Sequence, residues 1–244
     1  DGGFIREESA LKRQLKKYLI TGAEHYLSTD ARTDGYLAFY GADRAKIRRY
    51  PLASVFAAEV ADAPADAGEK AALRKTLGLP DGPLVLFAGQ LIRRKGVDIL
   101  VEAAKQLPDL RFCIVGNGDA SVYRAPDNVL FAGQKNKAEL AQYYRAADLF
   151  ALPTREDIWG LVVGEAVAKG LPVVTTDRCN AGVELLDQNF IVPAENTPAL
   201  TAKLAELLAD PAALETAGEA ALSIARRCTI EAMVKAHLEF LADL

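Results

Sequence analysis

The chain has 244 residues, of which 50% are apolar and 25% charged, and its formal net charge is −4. This composition is typical of a globular protein with one large domain or two modest ones, and it excludes a disordered chain. The acidic balance argues against nucleic-acid binding, which depends largely on basic side chains that meet phosphates. The sequence lacks an apolar stretch of the roughly 20 residues that a membrane-spanning helix needs.

The cysteine and histidine pattern argues against a metal site. Cys113, Cys179, Cys228, His25 and His237 are widely spaced, and they form no CxxC or HxxxH motif. An odd number of scattered cysteines favours reduced thiols in a cytoplasmic protein. We therefore predict that the protein requires no metal and no cofactor. The sequence begins at "DGGF" without an initiator methionine or a signal peptide, so we expect it to be part of a longer protein.

Residues 1–56 are predicted to form short helices and strands in alternation. Apolar residues at helical spacing mark "EESALKRQLKKYLI" and "DARTDGYLAFYG", while "EHYLST" and "AKIRRYP" are typical of strands. These elements are too few for a domain of their own. The basic stretch 12–17 within the first helix is either a solvated face or a peripheral contact with the inner face of an anionic membrane.

From residue 83 the sequence alternates regularly between strands and helices. Residues 57–82, rich in Ala, Asp, Pro and Gly, are predicted to connect the two lobes. Six short apolar runs favour buried parallel strands, and amphipathic patterns between most of them favour helices. The runs are PLVLFAG, RFCIVG, NVLFAG, DLFALP, LPVVTT and NFIVPA. Residues 83–244 are therefore predicted to form an α/β domain with a doubly wound, Rossmann-like parallel sheet and closing helices.

Ligands of doubly wound sheets bind beyond the carboxyl ends of the strands, so the loops that follow the strands are candidate sites. Lys95 in "QLIRRKGVD" precedes a helix and can pair with a phosphate, although a solvated basic loop is the simpler interpretation. The sequence "GNGDAS" from Gly116 lacks the third glycine of a dinucleotide motif, which makes NAD binding a weak hypothesis. The polar loop 134–137 either presents backbone groups to a base or is an ordinary turn.

The stretch "REDIWGLVVGEA" contains a pair of acids at a suggestive spacing. Asp157 and Glu165 are separated by slightly more than two helical turns, and Gly160 leaves the next backbone amides open to an anion. In the alternative, Asp157 caps an ordinary helix and Glu165 pairs with Lys169 four residues on. Taken alone, this helix favours the ordinary interpretation.

Five motifs in order resemble the donor-binding lobe of retaining glycosyltransferases of the GT-B fold, family 4, over residues 84 to about 209. They are FAGQLIRRKGVDILVEA, IVGNGD, NVLFAGQ, YYRAADLFALPT and EDIWGLVVGEAVAKGLPVV. If these loops were ordinary solvated surface, that interpretation would have to hold independently at all five motifs. The ordered set therefore favours a ligand site, although each loop taken alone favours ordinary surface. The resemblance implies a lobe that binds a nucleotide diphosphate sugar. Family members carry an acceptor-binding lobe before this one, so the resemblance also implies that residues 1–56 are the remnant of an N-terminal acceptor-binding domain.

The resemblance also implies roles for individual residues. Asp157 and Glu165 match the family's Glu-x7-Glu pair, in which the first acid meets the donor sugar and the second meets the ribose hydroxyls. Lys95 matches the lysine that neutralises the diphosphate, and these three residues form the expected catalytic set. The expected nucleotide-sugar site consists of Gln90, Lys95, Lys135, Ile158, Trp159, Gly160, Leu161, Val162 and Glu165.

Two positions depart from the family pattern. Asp157 is one methylene shorter than the usual Glu, which leaves open whether Asp157 or Glu156 meets the sugar. Gln90 stands where the family usually has an Arg beside the diphosphate, and Arg93 or Arg94 could supply the missing charge.

The sequence thus predicts a hexosyltransferase-like enzyme that transfers a sugar from a nucleotide diphosphate sugar to a glycan or lipid-linked acceptor, with retention, in polysaccharide or glycoconjugate biosynthesis. Residues 1–56 cover little of an acceptor lobe, so donor binding is a firmer expectation than turnover. The alternatives are a noncatalytic nucleotide-sugar binding module and a sugar-nucleotide epimerase of the same fold. The base, the sugar and the acceptor stay open.

Overall fold

The computed structural model describes residues 3–244, so the first two residues of "DGGF" lie outside it. Within this range the chain forms a small parallel sheet of two strands and a larger parallel sheet of six. Helices separate most of the consecutive strands of the larger sheet, which confirms the predicted α/β fold with a doubly wound parallel sheet.

The first part of the chain contains two helices and the two-stranded sheet. These elements are α1 Ala10–Thr21, β1 Tyr26–Ser28, α2 Ala31–Phe39 and β2 Ile47–Arg49. Ser9 and Asp30 begin the two helices, because each side chain accepts a backbone N–H of the first turn. The apolar face of α1 is exposed, and its exposed side chains are Leu11, Leu15, Tyr18 and Leu19.

The six-stranded sheet contains all six predicted strands. They are β3 Leu84–Ala88, β4 Arg111–Val115, β5 Val129–Gly133, β6 Leu149–Leu152, β7 Val173–Thr176 and β8 Ile191–Val192. The strand order is β5-β4-β3-β6-β7-β8, so the order reverses between β3 and β6. Strands β3, β6 and β7 are wholly buried, as predicted. Strand β5 is partly exposed because it lies at an edge of the sheet.

Helices cover this sheet and close the chain. They are α3 Ala67–Leu77, α4 Val97–Gln106, α5 Lys137–Ala146, α6 Leu161–Val167, α7 Asn180–Leu185, α8 Thr197–Leu208, α9 Pro211–Ala225 and α10 Ile230–Ala242. The core between sheet and helices includes the fully buried rings of Phe87, Phe112 and Phe150. Such burial removes the large apolar areas that dominate folding free energy.

Helix α3 lies within the stretch 57–82 that the sequence assigns to a connection between lobes. Its Arg74 is buried, donates to the Ala146 carbonyl oxygen at 2.9 Å, and forms an ion pair with Asp148 at 2.7 Å. The connection is therefore anchored to the end of α5. The predicted domain boundaries themselves stay a prediction.

Candidate functional site

The loops after β3 and β6 meet where the strand order reverses. Gly96 ends the first loop with a φ of +76°, and a Cβ there would lie 1.9 Å from the Pro153 carbonyl oxygen. Only glycine fits such a close approach of two backbones. The Arg94 carbonyl oxygen accepts the Thr154 hydroxyl at 2.9 Å and the Arg155 amide at 2.8 Å. The two loops therefore form one fixed unit at the carboxyl edge of the sheet.

Lys95 and Asp157 are brought together by this unit. The Lys95 ammonium forms an ion pair with the Asp157 carboxylate, and their side chains are 15% and 10% exposed. The backbone of Asp157 is held as well, because its amide donates to the Arg178 carbonyl oxygen at 2.9 Å. The carbonyl oxygen of Asp157 accepts the Asn180 amide at 3.3 Å. Both the backbone and the side chain of Asp157 are thus held by other loops. The alternative drawn from the sequence gave Asp157 only the role of capping an ordinary helix.

The N-terminus of α6 is shaped by Gly160, which adopts a φ of +95°. A Cβ at this position would lie 2.7 Å from the Cys179 sulfur, so the loop after β7 packs directly against it. The Cys179 thiol donates to the Trp159 carbonyl oxygen at 3.3 Å. No side chain caps α6, and its first amides are left open by helix geometry. Of the predicted binding residues here, Trp159 is buried, Val162 is partly buried, and Ile158 and Leu161 are exposed.

Glu165 has a different partner from the one the helical alternative predicts. The Tyr144 hydroxyl donates to Glu165 Oε2 at 3.0 Å. Lys169, four residues on, instead donates to the Glu59 carbonyl oxygen. Burial lowers the pKa of the Lys169 ammonium, with Arg145 and Lys137 nearby adding to this effect. Glu165 and Lys169 therefore do not form the exposed ion pair that the helical alternative predicts.

A cavity of about 240 Å³ lies beside Glu165, between α5 and α6. Its lining residues are Val55, Glu59, Lys137, Ala138, Ala141, Tyr144, Glu165 and Lys169. Its apolar lining residues come from α5 and from the segment before α3. Its charged lining residues are Glu59, Lys137, Glu165 and Lys169. The carboxylate of Glu165 thus has open space next to it rather than a packed core.

Gln90 and Lys135, two further predicted site residues, lie in the loops after β3 and β5. Gln90 is exposed in the loop after β3, and the Lys135 ammonium lies 5.8 Å from the centroid of the Tyr143 ring on α5. Arg94, which was a candidate to replace the missing charge at Gln90, donates to the Glu156 carbonyl oxygen at 2.9 Å. Arg94 therefore has a structural contact of its own in the loop unit.

Residues near the start of the chain reach this site, which sequence patterns did not predict. Arg6 forms an ion pair with Glu156, the acid next to Asp157. The ring of Phe4 is buried, with the Arg32 guanidinium 4.6 Å and the Arg178 guanidinium 5.9 Å from its centroid. The contact between Arg6 and Glu156 spans 150 residues, so no local pattern in the sequence predicts it.

The remaining chemistry of the site is limited. In residues 3–244 no group of His, Cys, Asp and Glu side chains is placed to hold a metal ion. All three cysteines are free thiols, and burial raises the pKa of Cys179 to about 11. No helix in the same range is both long and apolar enough to cross a membrane.

The comparison with known families decides the assignment. The model of the family "Glycosyl transferases group 1" matches residues 69–223, which is more than half of the chain. The chain belongs to this family. Its α/β structure matches that of structural neighbours of the GT-B fold, and membership of this family does not favour the binding-module and epimerase alternatives.

Curated relatives share this family. The D-inositol 3-phosphate glycosyltransferase of Xylanimonas cellulosilytica is 34% identical over 199 residues, covering 75% of this chain and 48% of the relative. That of Mycobacteroides abscessus is 36% identical over 157 residues, covering 58% of this chain and 35% of the relative. The chain thus spans about half the length, or less, of the curated relatives it matches.

Solved structures show the same fold. Sucrose-phosphate synthase from Thermosynechococcus elongatus has a TM-score of 0.81 at 25% identity, covering 97% of this chain and 62% of that one. Anabaena Alr3699/HepE, solved in complex with UDP and glucose, has a TM-score of 0.82 at 18% identity. This match covers 100% of the present chain and 70% of the Anabaena chain. At such identities the Anabaena protein shows the fold alone.

Proposed function

We propose that this chain carries the donor site of a retaining, family 4 glycosyltransferase that uses a nucleotide diphosphate sugar. The observation that carries the proposal is the ion pair of Lys95 with Asp157 at the reversal of strand order, where doubly wound sheets bind ligands. Glu165 lies on α6, eight residues after Asp157, and borders an open cavity. Names of relatives lend support, since a curated relative is a D-inositol 3-phosphate glycosyltransferase and a structural neighbour binds UDP. The acceptor is proposed to be a glycan or a lipid-linked molecule.

In this proposal each charged group meets one part of the donor. The Glu165 carboxylate accepts hydrogen bonds from the ribose hydroxyls, as an ionised acid with four lone-pair positions can. The Lys95 ammonium and the amides from Gly160 to Val162 stabilise the diphosphate. Negative charge grows on the leaving nucleotide diphosphate as the sugar departs, so these groups act most strongly in the transition state. No metal or cofactor takes part.

Asp157 is proposed to meet the donor sugar in preference to Glu156. Asp157 lies against Lys95 and next to the α6 N-terminus, whereas Glu156 pairs with Arg6. A bound diphosphate would share the Lys95 ammonium, which releases Asp157 to accept from a sugar hydroxyl. The shorter Asp side chain suits this arrangement because the loop backbone is already held close to Lys95.

The acceptor side of the reaction and the location of the protein are also proposals. Residues 1–56 would belong to an acceptor lobe, so the chain is expected to bind donor more readily than to turn it over. The basic residues 12–17 and the exposed apolar face of α1 are compatible with peripheral contact at the inner face of an anionic membrane. A cytoplasmic location follows from this hypothesis.

A comparison of nucleotides tests the proposed function. UDP, GDP and ADP are titrated separately into the 244-residue chain by calorimetry, and thermal unfolding is followed with each. One of the three should bind and raise the unfolding temperature, since a ligand that binds only the folded state stabilises it. Binding of none of them would overturn the assignment. Strong dependence on a divalent metal would contradict the proposed metal-free site.

A further inference from the structure

We infer that Tyr144 is a positioning residue, whose hydroxyl holds one oxygen of the Glu165 carboxylate so that the other is directed at the ribose. This inference rests on the proposed function. The Tyr144 hydroxyl donates to Glu165 Oε2 at 3.0 Å, from the end of α5 to the middle of α6. No other hydrogen bond or ion pair of Glu165 occurs within residues 3–244, so Oε1 stays free to accept from a ligand.

The Tyr144 ring is a rigid support for this contact. The residue is only 2% exposed, and its ring packs edge-on against Phe150 of β6, with 5.6 Å between centroids. Phe150 is itself fully buried in the central part of the sheet. A glutamate side chain otherwise has several accessible rotamers, and fixing one of them before binding removes an entropic cost from the ligand. The hydroxyl therefore ties Glu165 to the core.

Tyr144 donates a hydrogen bond without contributing charge. Burial raises the pKa of Tyr144 well above its usual value, and the nearby Glu165 carboxylate adds to this effect, so the phenol stays protonated. A cation in the same place would neutralise Glu165 and compete with the ribose hydroxyls for its oxygens. Lys169 could have played that part, but its ammonium is held by the Glu59 carbonyl oxygen. Glu165 is thus oriented by a neutral donor and not by a cation.

Substitution of the hydroxyl alone tests the inference. Tyr144→Phe removes the donor and keeps the buried ring, while Tyr143→Phe is a matched control that removes a hydroxyl from the adjacent, equally buried residue. The probes are whichever of UDP, GDP and ADP binds most tightly, and its 2′,3′-dideoxy form, which lacks the hydroxyls that Glu165 would bind. Tyr144→Phe should bind the ribonucleotide about tenfold more weakly, which corresponds to one hydrogen bond with a charged partner. The dideoxy form should bind wild type and Tyr144→Phe equally.

The outcomes separate this inference from the proposed function. Equal weakening for the ribonucleotide and the dideoxy form would mean that Tyr144 only supports the fold, and would overturn the inference. Unchanged ribonucleotide binding by Tyr144→Phe, with clear weakening by Glu165→Ala, would also overturn it while leaving the donor site intact. Failure of Glu165→Ala to weaken binding would instead reject the donor site itself.

Discussion

The Lys95 ammonium and the Asp157 carboxylate form an ion pair although 62 residues separate them in the chain. Each follows a strand, β3 or β6, on either side of the reversal in strand order. Both side chains are largely buried, so the opposite charge of the partner offsets the cost of removing each of them from water. A ligand phosphate would enter this pair as a third, negatively charged partner.

Removing the lysine should weaken binding of the diphosphate in particular. Lys95→Ala is expected to lose about tenfold or more in affinity for a nucleoside diphosphate, because a charge-assisted contact disappears and Asp157 is left to repel the anion. The loss for the matching nucleoside should be small. Calorimetry with both compounds gives the measurement. Lys105→Ala, on the exposed side of α4, is the control and should bind like wild type. Equal losses for nucleoside and diphosphate would argue against a phosphate role.

Glycine at the start of α6 should be irreplaceable. Gly160→Ala places a Cβ at a left-handed backbone position and 2.7 Å from the Cys179 sulfur, so we expect a loss of about 2 kcal/mol or more in unfolding free energy. Gly164→Ala, within the same helix, meets nothing within 4 Å and should stabilise by about 0.5–1 kcal/mol. Urea unfolding of both variants measures the difference. Equal stability of the two variants would contradict the described loop geometry.

Asp148 should dominate acid unfolding of the region around α3. Burial acts to raise the pKa of this carboxyl, but Lys70, the Leu84 amide and Arg74 together hold it below its usual value. A lowered folded-state pKa gives stability that is present above the unfolded pKa of about 3.9 and is lost as pH falls through the lower value. Asp148→Asn should therefore lose about 3 kcal/mol at pH 7, because Arg74 keeps a buried charge without its partner.

A pH series of urea unfolding checks this expectation. The gap in unfolding free energy between wild type and Asp148→Asn should narrow below pH 4, where the wild-type carboxyl takes up its proton. Glu102→Gln changes an exposed acid on α4 and should leave stability nearly unchanged at every pH. A gap that stays constant down to pH 2 would show that the charge of Asp148 is not what stabilises the fold.

The buried cysteines should resist alkylation in the folded protein. Burial raises the pKa of Cys113 to about 12 and that of Cys179 to about 11, so little thiolate forms near pH 8. Iodoacetamide should modify the partly exposed Cys228 first and reach the other two only in urea. Mass spectrometry of digested samples resolves the three sites. Native-state modification of Cys179 as fast as that of Cys228 would mean that the α6 N-terminus opens readily.

These raised pKa values also predict the alkaline limit of stability. Because the fold favours the neutral thiol, the contribution of Cys113 is full below an unfolded pKa near 8.5 and is lost as pH rises toward 12. Cys113→Val has no thiol to ionise, so its unfolding free energy should fall less than that of wild type between pH 8 and pH 11. Parallel curves for the two proteins would contradict this prediction.

The sheet could be predicted from sequence because its signals are local. The apolar runs that became β3, β6 and β7 are buried on both faces, and such strands have a nearly continuous apolar pattern. The edge strand β5 shows the limit, since exposure at an edge depends on strand order rather than on the strand's own residues. Family motifs, and no single loop, predicted that Lys95 and Asp157 lie together, and the structure joins them in an ion pair. The place of Glu165 in the same site stays a prediction.

The partners of the site residues could not be predicted, because they come from distant parts of the chain. Glu165 has Lys169 at ideal helical spacing, yet Tyr144 of α5 is its partner and Lys169 contacts Glu59 instead. Arg6 reaches Glu156 from the start of the chain. Helical periodicity describes which residues share a face, but it does not say which element packs against that face.

Nucleotide affinity of Glu165→Ala tests the central claim most directly. Calorimetry compares wild type, Glu165→Ala and Glu102→Ala, whose acid is exposed on α4, using whichever of UDP, GDP and ADP binds the wild type. If Glu165 accepts from the ribose, Glu165→Ala should bind at least about tenfold more weakly than wild type. Glu102→Ala should bind as wild type does. Equal affinity of Glu165→Ala and wild type would contradict the assignment of the donor site.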